Sequence, residues 1–393
     1  MISDWSHTGF SVSRTKPLHA SKLALGLECP LRYLLETERV AITPLPDSMA
    51  TLLGIAVHKL CASSEHISTP SEIRELTKLE FEKLVRSHPT APKILDAVNA
   101  PLLPKNIIPQ AEFIGKSGIV YKVTQSRSNT RSTRALTSQN KVRGVAASRQ
   151  FGSEISLKSD RFDLIGRADW IEDLSDGHIR IVDYKTGARL IGDDFTLKRE
   201  LLLQVGAYAV MAIEQFSVAG IILQIISPSS MWEQDFTEAL KSEVALSLSN
   251  ILATIPRDQP LRSNEIATPG ISCRWCKSRH VCAPYKRYAE REWKAADGRL
   301  LPLDTWGVIT EVKSQSGSLV EVRLRDDASR QVRIRNIPIE IIVGDDVGPG
   351  SRIRAFGLMA SESGRGSTYP HNFYVADVDR PNYSAFAARL VTG

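Results

Sequence analysis

The stretch of residues 161–185 limits the fold of this chain more than any other part of the sequence. Two runs with strand-like patterning, Arg161–Ile171 and Ile179–Lys185, flank an Asp-Gly pair that is typical of a tight turn. An apolar-faced helix over residues 200–216 and a buried strand over Gly220–Ile226 follow. A hairpin, a helix and a further strand in this order predict an α/β core.

The second strand of this hairpin carries charged residues on a face that is otherwise apolar. Side chains alternate along a strand, so Asp183 and Lys185 project to the same side as Ile179 and Ile181. Burying an acid and a lysine on that face costs free energy unless the two groups bind something.

The turn decides which residue of the first strand lies across from Asp183. A three-residue loop, Ser175-Asp176-Gly177, places Asp169 opposite Asp183 on the same face, whereas a two-residue loop would put them on opposite faces. Two converging carboxylates repel each other, and Mg²⁺ or Mn²⁺ ions prefer such oxygen ligands. Lys185 could then position the water that attacks a phosphate ester. A structural salt bridge inside the hairpin is the alternative, and these three residues alone leave both open.

Four short motifs extend this pattern along the chain. In sequence order they are Gly54-Ile55-Ala56-Val57-His58, Gly166-Arg167-Ala168-Asp169, Asp183-Tyr184-Lys185-Thr186-Gly187, and Gln204 with Tyr208 four residues later. Together they resemble the RecB/AddB-type branch of the PD-(D/E)XK nuclease superfamily. The resemblance implies a restriction-endonuclease-like fold, in which a mixed sheet is flanked by helices, and metal-dependent hydrolysis of phosphodiester bonds in DNA.

The resemblance also implies a role for each motif residue. The implied ligands of Mg²⁺ or Mn²⁺ are His58, Asp169, Asp183 and the carbonyl of Tyr184. Lys185 would orient and activate the attacking water. Gln204 and Tyr208 share a helix face, because they are four residues apart, and would contact the lysine or the DNA strand. Considered without the other motifs, His58 would be read as an ordinary core histidine.

The cysteines form a second candidate site. Cys273, Cys276 and Cys282 are closely spaced in one segment, and Cys29 or Cys61 could supply a fourth ligand. Cysteines in a cytosolic chain indicate metal or redox chemistry more often than disulfides.

The surroundings of Cys29 favour it as the fourth ligand. The segment Glu28-Cys29-Pro30 resembles the N-terminal cysteine of iron–sulfur members of this branch, such as the CRISPR-associated adaptation exonucleases. The resemblance implies a structural [4Fe–4S] cluster on Cys29 and the three later cysteines. Zinc bound by four cysteines is the chemical alternative, and Cys61 is interpreted as a small core residue.

The positive charge of the chain is concentrated in one segment. The formal net charge is +6, yet residues 101–150 carry nine Lys or Arg and one acidic residue. Each phosphate contact by a cation adds salt-dependent affinity for nucleic acid. We expect this segment to contact DNA, with a solvated loop as the alternative. The candidate DNA-binding residues are Arg127, Arg131, Arg134, Lys141 and Arg143.

The last hundred residues change in character. Short strands recur near residues 305–313, 319–325, 331–336, 352–359 and 373–378, separated by turn-forming residues. Five short strands predict a small β-barrel of the OB type. Arg323, Arg325, Arg333 and Arg335 alternate with apolar residues and would share one face if their strands pair. That face could follow the backbone of a single strand, or it could simply be a solvated surface.

These patterns predict two domains and a cytoplasmic enzyme. The nuclease domain is expected over residues 1–295, with the basic insertion at 100–150, and the OB-like barrel over 296–393. No apolar stretch approaches the about 20 residues of a membrane span, and the N-terminal residues lack a signal-peptide pattern. By resemblance, single-stranded DNA ends or flaps are the expected substrate. The competing interpretation is a non-catalytic DNA-binding or assembly subunit of a helicase–nuclease, CRISPR-adaptation or defence complex.

Overall fold

The computed structural model describes the chain in separate stretches. Besides isolated positions between 52 and 59 and at 329, these are residues 10–38, 70–87, 152–174, 177–185, 190–191, 196–227, 231–295, 303–314, 319–327, 331–338, 348–358, 371–377 and 387–391. His58, Cys61 and the basic segment at 101–150 lie outside the described residues.

Helices and strands are mixed up to Ala295, and the elements described after that residue are all strands. The helices are α1 (Leu23–Glu28), α2 (Pro30–Thr37), α3 (Pro70–Ser87), α4 (Arg199–Gln215), α5 (Glu238–Thr254), α6 (Ser263–Ile266) and α7 (Ala283–Ala295). The strands are β1 (Ser11–Val12), β2 (Leu18–His19), β3 (Gly152–Ser159), β4 (Leu164–Asp173), β5 (His178–Tyr184), β6 (Gly220–Ile226), β7 (Met231–Asp235), β8 (Leu261–Arg262), β9 (Leu303–Ser314), β10 (Leu319–Asp326), β11 (Gln331–Pro338), β12 (Arg352–Leu358), β13 (His371–Asp377) and β14 (Ala387–Val391). In this part of the chain, every helix falls short of the length or the apolar character that a membrane crossing requires.

The first helical segment is broken between Glu28 and Pro30. Cys29 is extended, with φ −154° and ψ 100°, and it separates α1 from α2. Pro30 begins α2, where a residue without an N–H group costs no helical hydrogen bond. The break therefore positions Cys29 at the start of α2, with its side chain buried.

A mixed sheet forms the core of the first part of the chain. Its strands run in the order β2-β4-β5-β6-β7. The sixth strand, β3, lies outside this order and also pairs with β4. β5 and β6 are parallel and are joined through α4, while β4–β5 and β6–β7 are antiparallel. Helices α4 and α5 contribute buried apolar residues to the same core as the sheet. The prediction of a mixed sheet flanked by helices is confirmed.

The register of the β4–β5 hairpin is the one that the sequence predicts for a three-residue loop. Trp170 pairs with Val182, and Ile171 pairs with Ile181. Gly177 has φ 84°, a left-handed conformation that glycine adopts without strain. This register brings Asp169 and the end of β5 together.

The C-terminal strands form one six-stranded sheet with hydrogen-bonded order β11-β10-β9-β12-β13-β14. The five predicted strands are present, and β14 is an additional one. A closed OB-like barrel is not shown, because no strand pairing in the described part of the chain joins β11 to β14.

A buried ion pair joins the segment of residues 271–282, which carries Cys273, Cys276 and Cys282 and is called the cysteine segment below, to the C-terminal sheet. Asp304 in β9 accepts hydrogen bonds from Arg279 Nε at 2.6 Å and Nη2 at 3.1 Å, and also from the hydroxyl of Tyr285. Arg279 Nη1 in turn donates to the carbonyl of Cys276 at 2.9 Å. A second contact runs from Arg354 in β12 to the carbonyl of His280. The segment that carries three of the cysteines is therefore attached to the C-terminal sheet at two points.

Candidate active site

Asp169 and Asp183 meet where β4 and β5 lie side by side. Asp169 Oδ2 accepts a 2.7 Å hydrogen bond from the backbone N–H of Tyr184. Asp183 is 1% exposed, and its Oδ2 lies 2.8 Å from Lys185 Nζ. No donor in the described part of the chain is aligned for a hydrogen bond to that oxygen. One buried carboxylate oxygen therefore keeps its acceptor capacity for a ligand.

The side chain of Gln204 connects the remaining predicted residues. Its Oε1 accepts a hydrogen bond from Lys185 Nζ at 2.9 Å. Its Nε2 donates to Asp183 Oδ1 at 2.9 Å and to the hydroxyl of Tyr208 at 3.0 Å. Gln204 and Tyr208 lie one turn apart on α4, which crosses from β5 to β6 and so passes over the carboxylates. The network fixes the lysine amine beside Asp183.

Burial and repulsion between the carboxylates change how the site titrates. Burial, and then the negative charge of Asp183, raises the pKa of Asp169 to about 7, against the opposing effects of the Tyr184 N–H and Lys185. Burial and the charge of Asp183 also raise the pKa of the Tyr208 hydroxyl. Tyr208 therefore stays protonated and can donate a hydrogen bond.

Gly166 makes room for the ring of Tyr208. A Cβ at Gly166 would lie 2.7 Å from Tyr208 Cε1, 2.8 Å from Met211 Cε and 3.0 Å from the Cβ of Ala20. Contacts that short do not occur between unstrained atoms, so only glycine fits here. The glycine of the second motif thus allows α4 to approach β4 closely enough for Gln204 to reach Asp183.

Glu154 is a residue of this site that the sequence motifs do not identify. In the β3–β4 register, Ser153 pairs with Trp170 and Ile155 with Ala168, so Glu154 lies across from Asp169. Its φ of 56° is unusual for a residue other than glycine. Its carboxylate lies 2.5 Å from Arg167 Nε, and its charge adds to those that raise the pKa of Asp169. Glu154 could have been identified only from its position across from Asp169. That position depends on the β3–β4 register, which the sequence of β3 alone does not define.

The two aspartates suit a divalent cation by their chemistry. In the described part of the chain, no group of three or more His, Cys, Asp or Glu side chains is arranged to hold a metal ion. The predicted third ligand, His58, lies outside those residues. Burial and mutual repulsion nevertheless disfavour two negative charges at Asp169 and Asp183, and a hard cation would relieve both effects.

The four cysteines of the second predicted site line one pocket. Cys29, from the break between α1 and α2, lines it together with Cys273, Cys276 and Cys282, although these described thiols are not arranged as a metal-binding group. The backbone N–H groups of Thr268 and Gly270 donate to Cys29 Sγ at 3.5 Å and Cys273 Sγ at 3.3 Å. The pocket therefore brings together thiols from two distant parts of the sequence.

Cys273, Cys276 and Cys282 are held in their neutral thiol form when nothing is bound to them. Burial is the main cause, and it raises the pKa of Cys276 to about 12 and also raises those of Cys273 and Cys282. A bound metal would reverse this preference, because it coordinates the thiolate. Arg32 and Arg279, which also line the pocket, place positive charge where thiolates would form.

The arginine face of the C-terminal sheet is neutralised by acidic neighbours. Arg323 pairs directly with Arg333 between β10 and β11, as the sequence analysis considered. Glu321 lies between them, 3.1 Å from Arg323 Nε and 3.4 Å from Arg333 Nε, and Glu311 lies 3.0 Å from Arg323 Nη1. Because these carboxylates offset the arginine charges, we give this face no role in binding phosphates.

Comparison with known proteins identifies one family. A family model for the PD-(D/E)XK nuclease superfamily matches residues 17–283. No curated protein matches the chain significantly. Among solved structures, a "Putative exonuclease" from Eubacterium rectale has a TM-score of 0.33 and 10% identity, covering 63% of this chain and 84% of its own. The crystal structure of SSO0001 has a TM-score of 0.23 and 14% identity, covering 60% of this chain and 95% of its own.

Proposed function

The chain belongs to the PD-(D/E)XK nuclease superfamily, and from this premise we propose that it is a metal-dependent enzyme that hydrolyses phosphodiester bonds in DNA. The observation that carries the proposal is the network around Gln204, whose amide contacts Asp183, Lys185 and Tyr208 at 2.9 to 3.0 Å. A buried aspartate, a positioned lysine and a second carboxylate at Asp169 are the groups that such a reaction needs.

Each residue has a defined task in this mechanism. Asp169 and Asp183 would hold the cation, together with the carbonyl of Tyr184 and His58. Mg²⁺ or Mn²⁺ bound there would supply Lewis-acid chemistry for activating water and stabilising charge on the phosphate. Lys185, held by Gln204, orients the water for attack and stabilises the charge that develops in the transition state.

A cleavage assay tests this proposal. Purified wild-type protein should degrade labelled single-stranded DNA when Mg²⁺ or Mn²⁺ is added. Asp183→Ala and Lys185→Ala should abolish cleavage, because one removes a ligand and the other the lysine. The matched controls are Asp160→Ala and Lys241→Ala, which remove exposed side chains that lie outside these motifs.

Two results would contradict the mechanism. Cleavage by Asp183→Ala and Lys185→Ala at the rate of the controls would remove both residues from catalysis. DNA binding without cleavage by the wild-type protein, with either cation, would favour the non-catalytic subunit of a helicase–nuclease, CRISPR-adaptation or defence complex.

The cysteine pocket is proposed to hold a [4Fe–4S] cluster with a structural role. The support is the meeting of four thiols with backbone N–H groups that donate to two of the sulfurs, since hydrogen bonds to sulfur accompany such clusters. A cluster there would link α2 to the segment after α6 and so join the two ends of the nuclease domain. Four thiols would also suit zinc.

Metal analysis of anaerobically purified protein separates these two alternatives. A brown protein with broad visible absorption and bound iron would support the cluster, whereas a colourless protein with stoichiometric zinc would refute it. Iron should be lost in the alanine variants of Cys29, Cys273, Cys276 and Cys282. Cys61→Ala is the matched control and should retain iron.

The substrate and the domain boundary are proposed on narrower grounds. Single-stranded ends or flaps are proposed as substrate from the family resemblance, and the domains are proposed to divide near residue 295.

The basic segment is proposed to contact DNA through Arg127, Arg131, Arg134, Lys141 and Arg143. Replacing these residues should weaken DNA binding and flatten its salt dependence, and unchanged binding would reject this role.

A further inference from the structure

The 3₁₀ turn of the cysteine segment, Ile271–Trp275, exposes two large apolar side chains. Trp275 is 63% exposed and Ile271 is 52% exposed. The turn is anchored to the protein interior, because Cys273 and Cys276 are buried. Arg32 in α2 holds its backbone by donating to the carbonyls of Ser272 at 3.5 Å and Trp275 at 3.2 Å. An indole on such a turn is presented to solvent on a rigid base.

Positive side chains surround this turn. Lys22 Nζ donates to the backbone carbonyl of Glu36 at 2.9 Å, and Arg32 Nε donates to Glu36 Oε1 at 2.9 Å. Both cations therefore contact Glu36. Partial burial lowers the pKa of Lys22, and the nearby charges of Lys277 and Arg32 lower it further, against the effect of Glu36. Three cations therefore lie together, and Lys277 is two residues from Trp275.

Lys22 is also close in the fold to the carboxylate site. Lys22 ends the short turn Ala20–Lys22, and the Cβ of Ala20 lies beside Gly166 together with the ring of Tyr208. Tyr208 contacts Gln204 and through it Asp183. Ala20 and Tyr208 are both buried, so the turn that carries Lys22 is packed against the same core as the proposed catalytic site.

We infer that Trp275, with Lys22 and Lys277, forms a binding site for single-stranded DNA, in which an unpaired base stacks on the indole and the two lysines contact the neighbouring phosphates. An exposed aromatic ring among cations is the arrangement that binds single strands without regard to sequence, because every base has a face that stacks and every nucleotide carries a phosphate. The inference rests on the proposed nuclease function and adds to it the residues that would hold the single strand.

Fluorescence anisotropy of a labelled oligothymidine, measured with the full chain and without added divalent cation, tests the inference separately from cleavage. Trp275→Ala should weaken binding roughly 5- to 150-fold, the loss expected for one stacked base. Trp275→Phe should restore most of the affinity, because it retains a ring. Lys22→Ala and Lys277→Ala should each lower the slope of log affinity against log salt by about 0.7, the value for one contact to a single strand.

Matched controls use side chains of similar exposure on another element. Leu246 in α5 is also 63% exposed, so Leu246→Ala removes a comparable apolar side chain, and Lys241→Ala removes a cation from the same helix. Both variants should bind the oligonucleotide as the wild type does. Thermal unfolding of every variant should match the wild type, which separates lost contact from lost folding.

Three outcomes would overturn the inference while leaving the nuclease proposal to its own assay. The first is equal binding by Trp275→Ala and Leu246→Ala. The second is an equal loss of affinity for blunt duplex DNA, whose bases are not free to stack. The third is a change in oligomeric state of Trp275→Ala in light scattering, which would make this surface an interface between copies of the chain.

Discussion

Replacing Asp304 by alanine should destabilise this protein far more than the loss of an ordinary surface charge. The carboxylate accepts two hydrogen bonds from Arg279 and one from Tyr285, and both Asp304 and Arg279 are buried. Burial lowers the pKa of the Arg279 guanidinium, but the carboxylate raises it by more, so the arginine stays charged. Asp304→Ala therefore leaves a charge buried without its counter-ion.

The loss of folding stability in Asp304→Ala follows from the burial of Arg279. Breaking a buried ion pair by removing one partner typically costs about 3–5 kcal/mol, because the remaining charge stays desolvated. The matched control is Asp327→Ala. Asp327 Oδ1 lies 2.6 Å from Arg352 Nη2, the same distance as in the Arg279–Asp304 pair, but this pair is exposed. Its loss is expected to lower the free energy of unfolding by only about 0–1 kcal/mol. The difference between the two variants isolates the effect of burial.

Urea unfolding, followed by circular dichroism and by tryptophan fluorescence, measures this difference. Trp306 lies two residues from Asp304 in β9 and is 1% exposed, so its emission reports on the same interface. With a slope of about 3 kcal/mol per molar urea, the midpoint of Asp304→Ala should fall by about 1 M. The double variant Arg279→Met with Asp304→Leu should recover much of the loss, because neither side chain is then charged.

Two results would refute this reasoning. If Asp304→Ala costs no more than Asp327→Ala, the pair is not buried in solution. If the double variant is as unstable as Asp304→Ala, the loss comes from something other than an uncompensated charge. Because Arg279 also donates to the carbonyl of Cys276, Asp304→Ala should in addition lower the metal content of the cysteine pocket.

Two further substitutions test the geometry of the carboxylate site. Gly166→Ala places a methyl group 2.7 Å from Tyr208 Cε1; the displaced ring should reduce the cleavage rate about 10- to 100-fold, and steady-state kinetics would measure it. In the metal-free protein, Asp169→Asn should raise the melting temperature above pH 7 and leave it unchanged at acidic pH. The folded-state pKa of Asp169 is raised from 3.8 to about 7, so the stability that its neutral form provides is lost as the pH rises through that range.

Each of these variants has a control of the same chemistry. Gly348→Ala adds a methyl group where nothing lies within 4 Å, so it should retain full activity. Asp160→Asn removes a carboxylate whose side chain is 90% exposed, so it should leave the pH dependence of unfolding as in the wild type. Full activity of Gly166→Ala, or a pH-independent gain from Asp169→Asn, would contradict the geometry described above.

Local patterns in the sequence predicted the parts of the fold that depend on neighbouring residues. The β4–β5 register followed from the length of the loop that ends at Gly177. That register depends on backbone geometry within a few residues, which the sequence specifies directly.

Three contacts between distant elements were not predicted, because they depend on pairings that neither a local pattern nor a motif defines. Glu154 approaches Asp169 only through the β3–β4 register. The position of Glu321 between two arginines depends on the order of strands in the C-terminal sheet. The same holds for Asp304, whose partner Arg279 belongs to the preceding part of the chain.

The pairing of β1 with β8 has a consequence for how the protein is made. Phe10 hydrogen-bonds to Ser263, 253 residues further along the chain. At about 5–20 residues per second, the ribosome needs roughly 13–50 s to supply that partner. The N-terminal segment must therefore remain unpaired through most of translation, whereas β9 and β10 can form their hairpin as soon as they emerge. Slow synthesis would prolong the exposure of the N-terminal segment and leave the C-terminal hairpin unaffected.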